Sequence, residues 1–305
     1  MSDSVATLIA GPGFAAAWED VVRVARDALG RHRAAALEPD WLALGRACDL
    51  AFVGLAPEDA AALLPPAIEN ALGVLPLDIV TQPNEGRRKR LLVADLEATV
   101  IENEMLDELA DLRGLGPGIS EITRRAMNGE IDFAAALSER VALLRGTPIA
   151  VLADAARRIR INPGARELVA TMRVHGAYTA LISGGFRTFS ALVRHALGFD
   201  TDVANELVFD GGVLAGTVRA PILDREGKRA TLERLAAERN LKLSDTLAVG
   251  DGANDLPMIE RAGLGVAYHG KPALAERAPH RIDRADLRAL LYIQGYRDSE
   301  IAAAA

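Results

Sequence analysis

Hydrophobic residues beyond residue 85 follow two alternating patterns, which together are typical of an α/β domain. Short, mostly apolar runs occupy residues 91–94, 178–182 and 246–249, and the last two contain one threonine each, Thr179 and Thr246. Such runs indicate strands of a parallel sheet, because helices cover both faces of that sheet. Between the runs, apolar residues recur at helical spacing. We therefore predict a doubly wound, mostly parallel sheet.

Residues 103–160 show helical spacing only. Their apolar residues recur three or four apart in four stretches, at residues 105–112, 119–127, 133–144 and 150–159. No strand-like run separates these stretches, so we predict a helical cap of residues 103–160 inserted into the sheet domain. The sheet domain then consists of residues 86–102 and 161–305.

Residues 1–85 predict a small α+β domain of their own. Strand-like positions and helical spacing alternate, at residues 5–10, 15–29, 41–53, 57–72 and 75–80. We expect the second helix to break near Pro65 and Pro66. The order resembles half or the whole of a ferredoxin-like unit. Turn formers at residues 83–86 mark the end of this domain. A regulatory role for it is left open.

Charge and cysteine content narrow the class of protein. The net charge of −7 argues against a nucleic-acid partner, and the short basic cluster at residues 87–90 indicates a domain junction. A single cysteine, Cys48, excludes an internal disulfide framework and a cysteine-based zinc site. No apolar run reaches the roughly 18 residues of a membrane span, and Asp3 is unlike the basic start of a signal peptide. We expect a cytoplasmic protein with no membrane partner.

Polar side chains follow each of the three predicted strands at the point where the strand ends. Parallel strands bring their carboxyl ends to one edge of a sheet, so we expect these side chains to converge. In chain order they are Asp95, Glu97 and Thr99; Ser183, Gly184 and Gly185; and Asp251, Asn254 and Asp255.

The grouped carboxylates indicate a metal site. Like charges a few ångströms apart cannot all stay ionised unaided. Oxygen ligands without His or Cys favour Mg²⁺ over zinc or copper. Ser183 and its glycines offer a hydroxyl and backbone N–H groups to an anion. With one lysine added, the site would hold a phosphoryl group between a cation, a carboxylate and amide donors.

Each motif has a simpler interpretation when it is taken alone. Ser-Gly-Gly is a common turn, and Lys228 on a predicted helix is usually solvated. Asp251 and Asp255 could cap the helix that follows them. The order and the expected convergence of the motifs favour the functional interpretation.

Together these residues resemble the four motifs of the haloacid dehalogenase superfamily of phosphohydrolases. The motifs are Asp95-x-Glu97-x-Thr99, Ser183-Gly184-Gly185, Lys228, and Gly-Asp-Gly-Ala-Asn-Asp at residues 250–255. Within that superfamily, the cap resembles the phosphoserine phosphatases at residues 103–109, 125–129, 133, 138–141 and 143–144. The resemblance covers residues 88–294. Residues 1–85 resemble only weakly the extra domain of longer bacterial versions.

The resemblance implies the catalytic roles. Asp95 would attack phosphorus and become an aspartyl phosphate. Glu97 would protonate the leaving oxygen and then deprotonate water. Ser183, Gly184 and Lys228 would stabilise the transferring phosphoryl group.

The resemblance also implies the metal and substrate ligands. Asp95, Asp251 and the backbone carbonyl of Glu97 would bind Mg²⁺, with Asn254 and Asp255 as supports. Glu104 would bind the substrate ammonium and Arg140 its carboxylate, bidentately. The residues implied at the substrate are thus Glu104, Met127, Phe133, Arg140, Ser183, Gly184 and Asn254, where Met127 and Phe133 form an apolar wall. Without the resemblance, we would expect Arg140 to face solvent. Glu104 would only interact favourably with the positive end of a helix dipole.

Glu97-Ala98 departs from the family pattern, which usually has aspartate followed by serine or glycine. The longer side chain moves the carboxyl group out by about 1.5 Å. The resemblance as a whole implies a Mg²⁺-dependent hydrolase that converts O-phospho-L-serine to L-serine and phosphate, the last step of serine biosynthesis. The alternatives are a phosphotransferase such as one from phosphoserine to homoserine, a phosphatase for another small phosphomonoester, and a catalytically weak amino-acid-binding paralogue. A homodimer is left open.

Overall fold

The computed structural model describes residues 3–127 and 130–303. Its first part is a four-stranded antiparallel arrangement with two helices, in which a fifth, short strand joins the sheet. The elements are β1 (Ser4–Ala10), α1 (Trp18–Arg31), β2 (Ala35–Ala36), β3 (Asp40–Ala43), β4 (Ala47–Val53), α2 (Pro57–Leu72) and β5 (Leu77–Pro83). The strand order is β2-β4-β1-β5, with β3 also paired to β4. This is the order of a complete ferredoxin-like unit.

Helix α2 continues through Pro65 and Pro66, so the predicted break is wrong. Both prolines are exposed, whereas Ala60, Leu64 and Ile68 on the opposite side of the helix are buried in the core of this unit. Burial of that apolar face holds the helix together, because tertiary packing supplies most helical stability.

The remaining chain forms a six-stranded parallel sheet with a helical insertion. The elements up to the hairpin are β6 (Leu91–Asp95), α3 (Met105–Arg113), α4 (Gly116–Met127), α5 (Phe133–Leu143), α6 (Ile149–Ala156), α7 (Ala165–Val174), β7 (Tyr178–Phe186), α8 (Arg187–Leu197), β8 (Thr201–Asn205), β9 (Leu207–Asp210) and β10 (Val213–Val218). Those that follow are α9 (Arg225–Glu238), β11 (Thr246–Gly250), α10 (Leu256–Arg261), β12 (Leu264–Tyr268), α11 (Pro272–Ala275), β13 (His280–Ile282) and α12 (Ala289–Tyr292).

The parallel sheet is covered on both faces, which confirms the doubly wound fold. Its order is β13-β12-β11-β6-β7-β8, and all its pairings are parallel. Along β6, Leu92 packs into the cluster that contains Met172 of α7, and Leu91 into the cluster that contains Leu232 of α9. Strands β8 and β13 were not predicted, because these edge strands are short or polar.

The four helices α3 to α6 lie between β6 and α7 in the sequence, and together they form the cap. Hairpin β9–β10 contacts them, since Gly146 N–H donates to Leu214 O over 2.8 Å and Pro148 bridges Val213. No helix in the described part of the chain is both long and apolar enough to cross a lipid bilayer.

Arg87, the first residue of the basic cluster, links the ferredoxin-like unit to the parallel-sheet domain. Its guanidinium pairs with Asp49 of β4 over 2.7 Å, and its Nε donates to Ile293 O over 3.1 Å. Both charged side chains are about nine-tenths buried (10% and 8% exposed). The boundary at residue 85 stays a prediction, but the chain on either side of it is firmly joined.

Candidate active site

The polar ends of β6, β7 and β11 meet at one edge of the parallel sheet, under the cap. A cavity of about 450 Å³ opens there. Its described lining comes from the strand ends and from the cap, namely Asp95, Glu97, Glu104, Leu106, Asp107, Thr123, Ala126, Ile131, Phe133, Ala136, Leu137, Arg140, Gly184, Gly185, Phe186, Asp251, Asn254 and Lys271. The edge rule for parallel strands therefore places the predicted groups together.

The chain leaves β6 through one wide helical turn, residues Leu96–Val100. Leu96 N–H donates to Asp95 Oδ1 over 2.8 Å, which fixes the carboxylate at the strand tip. Ala98 has φ 52° and ψ 8°, in the left-handed region that costs an L-residue roughly 1–2 kcal/mol. This sharp turn lets the side chain of Glu97 join the cavity wall.

Lys228 lies beneath the cavity between two carboxylates. Its Nζ is 2.7 Å from Asp95 Oδ1 and 2.6 Å from Asp255 Oδ1. Burial alone would lower the pKa of Lys228, but Asp255 and Asp95 raise it above its ordinary value. The lysine is 1% exposed, so the simpler interpretation of a solvated side chain is wrong.

Asp95, Asp251 and Asp255 form a buried group that could hold a metal ion. One carboxylate oxygen of each lies within 4.8 Å of the others. Burial raises the pKa of Asp95 well above its usual range, and the charge of Asp255 raises it further. Burial also raises the pKa of Asp251. A hard cation that accepts oxygen ligands fits this donor set, because His and Cys are absent from it.

A second lysine, Lys271, closes the group on the solvent side. Its Nζ is 3.0 Å from Asp251 Oδ2 and 3.2 Å from Glu104 Oε1. Sequence reasoning missed this residue. It follows β12, whose carboxyl end lies at the same edge, so the rule that found Asp251 would also have found Lys271.

Glu97 connects the sheet to the cap. Its Oε1 accepts the Met105 N–H at the start of α3 over 2.9 Å. A Cβ atom at residue 185 would lie 2.5 Å from Glu97 Oε2, so Gly185 provides the space for the longer side chain. Burial, and then the charge of Glu104, raise the pKa of Glu97 to about 7.

The carboxyl end of β7, which runs on through Ser183, Gly184 and Gly185 to Phe186, places backbone groups beside Asp95, so the interpretation of Ser-Gly-Gly as a simple turn is wrong. Ser183 is fully buried, and its Oγ accepts the Gly185 N–H over 2.9 Å. Asn205, which was not predicted, donates to Gly184 O over 2.8 Å and so fixes this end of the strand. A Cβ atom at Gly184 would lie 3.2 Å from Phe133 Cζ, which shows that the phenyl ring of the cap lies over this glycine. Neither Ser183 nor Lys228 is among the described residues that line the cavity.

Glu104 and Arg140 bring opposite charges to the cap side of the cavity. Burial raises the pKa of Glu104, and Lys271 opposes that effect. Burial lowers the pKa of Arg140, whose Nε donates to Ala136 O over 3.2 Å. No carboxylate of the described residues forms a salt bridge with Arg140, so its guanidinium has donors left for a ligand. The side chain of Met127 lies outside the described part of the structure.

Two simpler interpretations also fail for the third strand end. Asp255 stands at the start of α10 but accepts no hydrogen bond that caps it. Its oxygens instead accept from Lys228 and from Gly252 N–H, over 2.6 Å and 3.1 Å. Asp251 accepts from Lys271. Both carboxylates therefore serve the site and not the helix.

The chain matches a known family over more than half of its length. The sequence model of the haloacid dehalogenase-like hydrolases matches residues 92–260. A phosphoserine phosphatase of Archaeoglobus fulgidus is 43% identical over 215 residues, which cover 70% of this chain and 62% of that protein. A phosphoserine phosphatase of Streptococcus thermophilus is 44% identical over 206 residues, which cover 67% of this chain and 95% of that protein.

A solved structure matches nearly the whole chain. The crystal structure of a HAD family hydrolase from Salmonella enterica serovar Typhi superposes with a TM-score of 0.83 at 28% identity, and covers 98% of this chain and 99% of that one. The match therefore includes the ferredoxin-like unit as well as the parallel sheet and its cap. On the sequence match, the motif geometry and this superposition, the chain belongs to the haloacid dehalogenase-like hydrolase family.

Proposed function

We propose that this hydrolase is a Mg²⁺-dependent phosphatase that cleaves O-phospho-L-serine to L-serine and phosphate. The observation that carries the proposal is that Glu104 and Arg140, which has no salt bridge to any described residue, line one cavity with Asp95. The two groups suit the ammonium and carboxylate of an amino acid whose phosphate points at Asp95. The relatives from Archaeoglobus and Streptococcus, both phosphoserine phosphatases, support the same substrate.

In this mechanism Asp95 attacks phosphorus and forms an aspartyl phosphate. Lys228 holds its carboxylate in place and balances charge that spreads over the phosphoryl oxygens. Backbone N–H groups near Gly184 would assist, at the end of β7 that Ser183 and Asn205 hold in place.

Glu97 would act first as a general acid and then as a general base. It protonates the serine oxygen as the bond to phosphorus breaks, and then takes a proton from the water that hydrolyses the aspartyl phosphate. A raised pKa suits this double role, because the carboxyl group must exist in both forms near neutral pH. Its hydrogen bond to Met105 N–H keeps it oriented.

Asp95 and Asp251 would hold Mg²⁺, with the backbone carbonyl of Glu97 as a third ligand and Asp255 and Asn254 in support. When bound, the ion neutralises phosphoryl charge and orients the phosphate. Among the described residues, two ammonium groups, Lys228 and Lys271, face the three aspartates. Lys271 also pairs with Glu104, so the carboxylates there outnumber the ammonium groups, and the family as a whole supports a divalent metal.

Release of inorganic phosphate from a panel of small phosphomonoesters tests the proposal. We expect phosphoserine to have the highest kcat/KM, and added homoserine to leave the phosphate yield unchanged. Formation of phosphohomoserine at the expense of phosphate would instead establish the phosphotransferase alternative. A preference for a phosphomonoester without an amino-acid end would overturn the assignment of the substrate.

Removal of metal should abolish activity. A chelator is expected to stop phosphate release, and Mg²⁺ to restore it, whereas the larger and less strictly octahedral Ca²⁺ should restore little. Full turnover in excess chelator would contradict the metal assignment.

Lys271→Met should lower the Mg²⁺ concentration that gives half-maximal activity, because its ammonium no longer competes for Asp251. A half-exposed pair of this kind is worth up to about 1 kcal/mol, or roughly fivefold. The exposed Lys242, replaced by methionine, is the matched control. Weaker Mg²⁺ activation in Lys271→Met would show that the lysine supports the metal and does not compete with it.

Arg140→Ala should raise KM for phosphoserine with less effect on kcat, since it removes ground-state binding of the carboxylate. Phosphoethanolamine lacks that carboxylate, so its kcat/KM should hardly change. Equal losses on both substrates would indicate a damaged cap and not a lost contact.

A cytoplasmic location is part of the same proposal. A homodimer stays a hypothesis, which sedimentation of the purified protein would test.

A further inference from the structure

One carboxylate of the ferredoxin-like unit holds a segment of the parallel-sheet domain, residues 283–285. Asp78 lies in β5 and is 6% exposed. Its Oδ1 accepts the Asp283 N–H over 2.9 Å, and its Oδ2 accepts the N–H groups of Arg284 and Ala285 over 3.1 Å and 2.8 Å. No cation of the described residues forms a salt bridge with Asp78. Because a buried carboxylate needs partners, these three charge-assisted hydrogen bonds hold the segment firmly.

The end of β1 packs against the same segment. Gly11 directly follows β1, and a Cβ atom there would lie 2.6 Å from Arg284 Cβ and 2.9 Å from the carbonyl carbon of Arg284. These distances leave no room for a side chain, so glycine lets the two stretches of backbone approach closely. The ferredoxin-like unit therefore fixes segment 283–285 from two of its strands, β1 and β5.

Segment 283–285 lies at the same edge of the parallel sheet as the active site. It follows the carboxyl end of β13, which pairs in parallel with β12. His269 follows the carboxyl end of β12. Its backbone N–H donates to Ile282 O over 2.8 Å, and its Nε2 donates to Ala285 O over 3.1 Å, because a carbonyl oxygen can only accept. His269 is thus tied both to the end of β13 and to the segment itself.

The tie at His269 fixes the loop that carries Lys271. The backbone of His269 has φ 44°, in the left-handed region that residues other than glycine seldom adopt. Two residues further on, the Lys271 N–H donates to Asp251 O over 2.8 Å. The ammonium group of Lys271 contacts the carboxylates of Asp251 and Glu104. The bonds at His269 and at Lys271 therefore hold both ends of one short loop beside the metal-binding aspartates.

We propose that Asp78 is a positioning residue of the active site, which holds Lys271 in place through segment 283–285 and His269. Asp78 itself is not among the described residues that line the active-site cavity. The ferredoxin-like unit thus supports the catalytic domain at a distance from the substrate. The positioning follows from these contacts, whereas its effect on activity rests on the proposed function, in which Lys271 competes with Mg²⁺ for Asp251.

Hydrogen exchange of the Lys271 amide tests the positioning without any turnover. It would be followed by ¹⁵N NMR on the full-length protein. Asp78→Asn keeps the size of the side chain but replaces one accepting oxygen by an amide nitrogen, which cannot accept an N–H group. We expect the Lys271 amide to exchange about tenfold faster, since a hydrogen bond to a charged group is worth that factor or more.

His269→Asn breaks the second step from an exposed position, and should accelerate the same amide even if Asp78→Asn fails to fold. Asparagine tolerates the left-handed backbone of residue 269 but is too short to keep the bond to Ala285 O.

Gln82→Met is the matched control. Gln82 lies in the same strand as Asp78, is also 6% exposed, and donates from Nε2 to Ile293 O of the other domain over 2.5 Å. Its replacement removes an interdomain hydrogen bond away from segment 283–285, so exchange at Lys271 should stay unchanged. Unchanged exchange in Asp78→Asn or in His269→Asn, or an equal acceleration in Gln82→Met, would overturn the proposal.

A double-mutant cycle on Mg²⁺ activation tests the effect on activity. Asp78→Asn should lower the Mg²⁺ concentration that gives half-maximal phosphate release by up to about fivefold, the same limit as for Lys271→Met. The double variant should show no further decrease beyond Lys271→Met, because both changes act on one contact. Additive effects would show that Asp78 does not act through Lys271. If Lys271→Met leaves Mg²⁺ activation unchanged, the role of Lys271 in the proposed function is wrong, and exchange at Lys271 still decides the positioning.

Discussion

Glu97→Gln is expected to lower phosphoserine turnover by about 10²- to 10⁴-fold, the usual contribution of general acid–base catalysis. The serine alkoxide is a poor leaving group, so its departure depends on a proton from Glu97. Glutamine keeps the oxygen that accepts the Met105 N–H, so the start of α3 should stay in place. The loss would therefore be chemical and not structural.

The same variant should behave differently with p-nitrophenyl phosphate. The nitrophenolate leaves without a proton, so the first step should stay fast, whereas hydrolysis of the aspartyl phosphate still needs a base. We expect a burst of nitrophenol followed by slow turnover, as the phosphoenzyme accumulates. Wild-type turnover of phosphoserine in Glu97→Gln would remove this residue from the mechanism.

Glu97→Asp is the companion variant, because it restores the residue that is usual in the family. The shorter side chain would no longer reach both Met105 N–H and the space above Gly185. A misplacement of about 1 Å can cost on the order of 100-fold in rate. We expect aspartate to be slower in this chain, and a faster Glu97→Asp enzyme would show that glutamate is a defect.

Lys228→Met is the second change with a large expected effect. It leaves Asp95 and Asp255 facing each other without a cation, and loss of one partner from a buried charge group costs about 3–5 kcal/mol of stability. Chemical denaturation of the metal-free protein measures this free energy of unfolding. The remaining folded enzyme should lose about 10²- to 10³-fold in kcat, the typical effect of one lost electrostatic donor.

The pH dependence separates a charge effect from simple loss of packing. Without Lys228, two carboxyl groups face each other with no cation between them. At least one of them should then have a pKa in the folded protein that lies well above its pKa in the unfolded chain. A group with a raised folded-state pKa stabilises below that pKa, and the contribution is lost as the pH rises. Destabilisation should therefore be smaller at mildly acidic than at mildly alkaline pH. An equal loss of stability at both pH values would contradict this explanation by charge. So would a Lys228→Met protein as stable as the Lys242→Met control.

The sequence alone predicts the central strands and their polar ends well, for a physical reason. β6, β7 and β11 are covered on both faces, so their residues form nearly continuous apolar runs that end abruptly at Asp95, Ser183 and Asp251. Edge strands lack this signal. β8 is half-buried and contains Thr201 and Asp202, and β13 has only three residues, so neither stands out from a loop.

Residues whose role depends on tertiary contacts could not be read from local pattern. Pro65 and Pro66 predict a helix break, but packing of the opposite face overrides that preference. Asn205 and Lys271 act on residues that lie far away in sequence, Gly184 and Glu104. The space that Gly185 leaves for Glu97 likewise appears only when the two segments meet.

Trapping of the phosphoenzyme tests the central claim, that Asp95 is the nucleophile of a phosphomonoester hydrolase. Glu97→Gln protein would be mixed with p-nitrophenyl phosphate in the presence of Mg²⁺, quenched in acid during the burst, and digested for peptide mass spectrometry. The account predicts one phosphorylated peptide, with the phosphoryl group on Asp95, and none in a protein that also carries Asp95→Asn. A nitrophenol burst without phosphate on Asp95, or phosphate on any other residue, would contradict it.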